Sequence, residues 1–172
     1  MVKQKRNMMK KIIFYATLLA IATACKNNVC DYDSKINDIY ITGWHGGVPS
    51  KGCIYTYDRH TSFKQAKDSM KIHNITKDDE GLPVLLCSLK DGNFNYNTDM
   101  RLILDDTLIY DITDIRLEWF VDKRHWVMGG PWEHCIVSSL KVNGHHVTCK
   151  TTVSELGFPH KYARRNKRTV DD

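Results

Sequence analysis

The chain has 172 residues, of which 26% are charged and 42% hydrophobic, and a formal net charge of +5. That excess sits at one end: Lys3, Lys5, Arg6, Lys10 and Lys11 precede Cys25, and without them twenty basic residues face twenty acidic ones. A body with no net positive charge lacks the basic face that nucleic-acid binding requires, so no nucleic-acid partner is expected.

The N-terminal residues have the three parts of a secretory signal: the five cations, an apolar run from Ile12 to Ala24, and small residues before Cys25. The run is too short for a spanning helix, which takes about 20 residues. Residues 1–24 are therefore expected to be removed as a signal peptide. The segment Leu19-Ala20-Ile21-Ala22-Thr23-Ala24-Cys25 resembles a bacterial lipobox. The resemblance covers only the signal. It implies acylation of Cys25 as the mature N-terminus and anchoring of the protein in a membrane of the bacterial cell envelope, on the periplasmic side or at the surface. Ala22-Thr23-Ala24 also fits an ordinary signal-peptidase site, which would leave Cys25 free. The six cysteines bear on this choice: with Cys25 lipidated five remain, an odd number, whereas all six could form three bridges.

Residues 25–35 read as a polar tether, and 36–158 as a single β-rich domain, in chain order as follows. Strands are expected at Asp38–Thr42, Gly52–Tyr57 and Pro83–Leu89. A short helix is expected over Ser62–Ile72, with Phe63, Ala66 and Met70 inward. Asp78-Asp79-Glu80-Gly81 is an acidic turn without the calcium-loop pattern. Met100 to Ile112 forms a hairpin; a three-residue loop ending at Thr107 aligns Met100, Leu102 and Leu104 with Leu108, Tyr110 and Ile112, and sets Arg101 opposite Asp111. Ile115 to Val121 alternates strictly, a half-buried strand with Trp119 in the core. Asn143-Gly144 marks a two-residue turn between Ile136–Val142 and His145–Thr151. That register pairs Val142 with His145, Leu140 with Val147 and Ser138 with Cys149, and argues against a Cys135–Cys149 bridge. Residues 159–172 carry Lys161, Arg164, Arg165, Lys167 and Arg168 and read as a basic, disordered tail. The fold class is mostly β: an antiparallel β-sandwich or small barrel with one short helix.

No catalytic signature is present, whether H-E-x-x-H, C-x-x-C, G-x-S-x-G or a phosphate-cradling glycine loop. His134 and Cys135 are adjacent on a strand and point to opposite faces, a poor start for a cysteine nucleophile. His145 and His146 likewise alternate, so no metal site or cofactor is expected. Trp44 with His45 in a glycine-containing loop, and Trp126 and Trp132 around Gly129-Gly130-Pro131, are the candidate partner-binding residues, since tryptophan offers a large apolar face with one donor. Folding back as lids on the core is the other role open to these tryptophans. The expected function is an envelope-anchored, non-catalytic binding module for another protein, one version being an immunity-type inhibitor of a periplasmic toxin. The alternatives are a hydrolase of envelope polymers, which would bring together two or more of His45, Asp58, His60, His134 and Cys135, and a glycan-binding surface lipoprotein.

Overall fold

The hairpins read from the sequence form the middle of a large sheet. The computed structural model describes residues 29–77, 82–89, 94–122 and 132–166. The signal segment, Cys25 and the acidic turn 78–81 lie outside the described residues. The chain is mostly β with essentially no helix, and its two sheets form a sandwich-like arrangement, not a closed barrel. Numbering strands in chain order, the larger sheet sets β3 (Ala66–Lys71), β2 (Gly52–Asp58), β6 (Thr98–Leu104), β7 (Leu108–Asp122), β8 (Trp132–Val142) and β9 (His145–Thr152) side by side. The two-residue β11 (Arg164–Arg165) also pairs with β7. The smaller sheet has β10 (Glu155–Pro159), β1 (Asp38–Thr42), β5 (Val84–Ser88) and β4 (Asn74–Lys77) in that order. Among the described strands only β1 and β10 pair in parallel, a departure from the all-antiparallel expectation. It arises where the chain leaves β9 at Val153–Ser154 and crosses to the smaller sheet, meeting β1 in a direction already set by its pairing with β5.

The β6–β7 hairpin has the expected register: Met100 faces Ile112, Arg101 faces Asp111 and Leu104 faces Leu108. The positive φ angles fall on Asp105 (48°) and Asp106 (57°), residues that tolerate them, and Thr107 is spared. The Asn143-Gly144 turn is also as expected, with φ of 48° and 84°. Val142 faces His145 and Leu140 faces Val147.

Further along, two bulges alter the pattern. In β7 the register shifts between Thr113 and Leu117, with Asp114 at φ 51°. In β8 it shifts between Val137 and Ser139. A bulge inserts an unpaired residue and so exchanges the faces of everything beyond it. Before the shift Tyr110 and Ile112 face the core; after it Ile115 and Leu117 do. In β8 the core-facing positions change from Val142 and Leu140 to Val137, while Ile136, also buried at 7% exposure, lies opposite Glu118 on the other face. Ser138 therefore does not pair with Cys149. Cys135 turns inward and bonds Cys30, with a Cα–Cα separation of 5.6 Å. Cys53, Cys87 and Cys149 are free. Burial pushes the Cys87 thiol up to about 12 and the Cys149 thiol up to about 11, so both remain protonated at neutral pH.

The expected helix over Ser62–Ile72 is absent. Positive φ angles at His60, Ser62 and Phe63 exclude helix at its start. Ala66–Lys71 instead pairs along β2 as the outermost strand of the larger sheet, exposed except for half-buried Met70. The open side of β2 needs a partner for its backbone groups, and Lys67, Asp68 and Lys71 suit a solvated edge. The chain then crosses between sheets at Ile72–His73 into β4, a strand outside the expected set. Gly52 lies under this crossing, where a Cβ would come 2.6 Å from Ile72 Cγ1 and 3.0 Å from Leu104.

Both termini of the described chain are held on the sandwich. The tether expected to extend to residue 35 is already fixed at Cys30, and the Tyr32 hydroxyl accepts a hydrogen bond from the Leu117 amide at 3.2 Å. At the other end, the segment expected to be free from residue 159 is packed as far as Asn166. A 3-10 turn at His160–Tyr162 leads into β11, and the Asn166 amide donates to Thr107 O at 2.7 Å. Arg164 meets Asp111 at 2.9 Å, the carboxylate already bound to Arg101, whose guanidinium lies 4.6 Å from the Phe63 ring centroid. Asn143 joins this strap to the sheet. Its side chain accepts from the Asp111 amide (3.0 Å) and donates to Ile109 O (2.8 Å) and Tyr162 O (2.7 Å).

Two changes test this arrangement in urea unfolding. Asn143→Gly keeps the turn but loses three bonds and should cost about 1–3 kcal/mol; Asn143→Ala should cost roughly 1 kcal/mol more, for the left-handed backbone. Replacing both Cys30 and Cys135 with Ala opens a span of 105 residues. That should lower stability by about 2–4 kcal/mol.

Candidate functional site

The turn after β1 is held by its own tryptophan. Gly43, at φ 72°, turns the chain, and the Trp44 amide donates to Pro83 O at 2.7 Å. The indole folds inward, only 4% exposed, and its Nε1 donates to Gly47 O at 3.0 Å, closing Trp44–Gly47 over the ring. Trp44 is thus a support for the loop and not a contact surface, because its face is used in packing. His45 points out to solvent. Val48 is 48% exposed, and Leu82, beside the Pro83 that holds Trp44, is 57% exposed. Beneath the loop, the Trp44 and His160 rings meet edge-on at 4.5 Å, and His160 Nδ1 shares a 2.7 Å hydrogen bond with the Tyr110 hydroxyl. Burial, with a smaller effect of nearby His45, holds the His160 imidazole below its ordinary value. Burial raises the Tyr110 phenol.

The opposite end of the larger sheet is built by the arm of β7 and β8 beyond their bulges. Leu117 is the last buried apolar residue on its inner face; Trp119 and Val121 are 38% and 37% exposed. Trp119 was expected in the core, since its alternation with Ile115 and Leu117 is perfect. It is not, because β7 continues past the apolar residues of the smaller sheet. The Cys30–Cys135 bridge lies beside it, Cys135 being the residue opposite Trp119.

The candidate partner-binding residues do not form one surface. Trp44 connects through His160 to Tyr110, whereas Trp132 is opposite Asp122. Tyr110 and Asp122 are twelve residues apart on one strand, roughly 40 Å at 3.3 Å per residue. Trp126 lies outside the described residues, and of Trp132 only the backbone is described.

The residues proposed for hydrolysis are scattered as well. Asp58 pairs with Lys67 at 2.7 Å, His134 packs on Phe120 with centroids 5.7 Å apart, and Cys135 is oxidised. His60 alone among them lines a polar cleft of about 260 Å³, with Tyr32, Arg59, Asp99, Asp114 and Arg116. Most of that cleft's polar groups are already paired. Asp99 accepts from the His60 amide at 2.9 Å, and Arg59 donates to Tyr96 O. Lys141, 2.8 Å away, holds the Asp114 carboxyl below the usual carboxylate range. His145 stacks on Tyr162 at 4.7 Å, and among the described residues no three His, Cys, Asp or Glu side chains converge as a metal site would require.

The Tyr110–His160 pair was not legible in the sequence, since the two residues are 50 positions apart. The spacing of Asn143 could have suggested only its turn, not the strap it clamps.

Because the folded imidazole of His160 is depressed, the unfolded chain binds the extra proton first as pH falls. Stability should be full above about 6.5, the ordinary histidine value. It should decline as pH drops through the folded midpoint and then level off. NMR titration of His160 with urea unfolding between pH 7.5 and 5 should show both effects, and His160→Gln should remove this part of the decline.

Compared with family models, with curated proteins and with solved structures, the chain shows no significant match to any of them.

Proposed function

We propose that the protein is a non-catalytic binding module, held at the bacterial cell envelope by lipid on Cys25, that presents its Trp44–Val48 end to a protein partner. The observation that carries this reading is the separation of the two ends. The chain departs toward Cys25 from the end bearing Cys30, while the loop closed over Trp44 is at the other. A loop already held by Trp44 Nε1 and Pro83 O loses little entropy on binding, and so more of its contact energy appears as affinity. Val48 and Leu82 give it apolar contact area, with His45 as an exposed polar group in the same loop as Val48.

Hydrolysis by His45, Asp58, His60, His134 and Cys135 is disfavoured by the oxidised Cys135 and by the absence of the other four from the cleft that His60 lines. An immunity-type inhibitor is the most concrete version of the binding reading: a lipid-anchored domain of this size could occlude an incoming toxin without chemistry of its own.

Intact mass of the mature protein should give an N-terminal Cys25 with added acyl mass; a mature chain without it removes the anchor from the proposal. Pull-down from an envelope extract should capture one specific protein. Val48→Asp with Leu82→Asp should abolish capture while leaving the melting temperature unchanged, and Trp119→Phe should leave capture intact. A partner whose capture ignores the Val48 and Leu82 changes would sink the proposed surface. Co-expression with the captured protein tests the inhibitor version directly, through relief of its toxicity.

A further inference from the structure

We infer that the inner face of the β7–β8 arm is a membrane-resting ledge, with Trp119, Val121 and Val29 seated among zwitterionic phospholipid headgroups; this rests on lipidation of Cys25.

Five large apolar residues are exposed among the described residues, and they divide between the two ends of the molecule. Val48 and Leu82 flank the Trp44 loop, while Val29 (77%), Trp119 (38%) and Val121 (37%) belong to the arm. The arm group is linked through one strand face and one disulfide. Trp119 and Val121 are two apart on a strand and share a face. Trp119 lies opposite Cys135, which is bonded to Cys30, the neighbour of Val29. The patch stays uncovered because the sandwich core ends at Leu117.

What covers it follows from the chain's length. Val29 is four positions from Cys25, with three residues between them, a reach of about 14 Å at most. With acyl chains on Cys25, this end of the domain cannot leave the headgroup region, and the Trp44 end is the one able to stand away from it. Tryptophan suits that boundary, having an apolar body and one polar N–H. Charge selects the kind of surface. Glu133, opposite Val121, and Asp31, next to Cys30, are exposed beside the patch. Among the described residues these carboxylates are the charges beside the patch, and an anionic layer would repel them, so the ledge is matched to zwitterionic headgroups. The acyl chains supply the affinity. The ledge supplies orientation, directing the Trp44–Val48 loop away from the bilayer.

The test uses the lipidated mature protein in vesicles of zwitterionic phospholipid carrying brominated acyl chains, which quench nearby tryptophan. Wild type should show a quenched component that is lost in Trp119→Phe and reduced in Val121→Asp, both with unchanged melting temperature. The lipid-free Cys25→Ser protein should show no quenching at the same vesicle concentration. Equal quenching in wild type and Trp119→Phe, with acyl mass present on Cys25, overturns the ledge and leaves the anchor standing. No acyl mass on Cys25 overturns both. Shielding of Trp119 from acrylamide that rises with protein concentration in the absence of vesicles would assign the patch to a second copy and also overturn the ledge.

Discussion

Two bulges, one in each strand of the β7–β8 hairpin, constrain most of the structure. A strand of fifteen residues spans both the part of the larger sheet that faces the smaller one and the part that extends beyond it. Without a shift, residues on the even positions of Tyr110 and Ile112 would continue inward to Arg116 and Glu118, placing charge in the core. Asp114, in a left-handed conformation, absorbs the extra residue, and the matching shift in β8 keeps the strands paired. The exchange of faces in β8 has a covalent consequence. It turns Cys135 inward, toward Cys30, and so fixes where the N-terminal segment leaves the domain.

The molecule has two different ends as a result. At one, a disulfide ties the departing chain to an arm with exposed apolar residues. At the other, Trp44, His160 and Tyr110 pack together beneath a loop whose tip is free. The C-terminal strap reinforces this second end: Asn143 bonds both β7 and the strap, and Asp111 holds arginines from β6 and β11. Charged pairs at such partly solvated positions contribute modestly on their own. Here they add to backbone pairing of β11 with Leu108 and Ile109, and this combination orders a segment whose composition suggests a free tail.

The residues with chemical potential are mostly committed to structure. Arg59 satisfies backbone carbonyls, Asp99 holds the His60 turn, Cys135 is bonded, and Cys87 is a buried thiol. The binding role proposed above asks for shaped loops and exposed apolar area, not for convergent acids and bases.

Local signals were sufficient for contacts close to a tight turn, and failed within the β8–β9 hairpin once the bulge at Ser138 shifted the register. The Asn143-Gly144 turn, the Arg101–Asp111 pair and the alternation of β6 follow from neighbouring residues, because a tight turn dictates the register beside it. The error over Ser62–Ile72 has the opposite origin: a helical spacing of Phe63, Ala66 and Met70 was outweighed by the need of the β2 edge for a partner. Trp119 illustrates the same limit, since alternation reveals that one face differs from the other but not whether a second sheet extends far enough to cover it. The sequence by itself determined a β-rich domain, its two clearest hairpins, and the resemblance of its N-terminus to a lipobox. Only the tertiary structure decided the bulges, the Cys30–Cys135 pairing, the docking of the C-terminal segment and the separation of Trp44 from Trp132. Each of these depends on contacts between residues distant in the chain, whose energies no local pattern records.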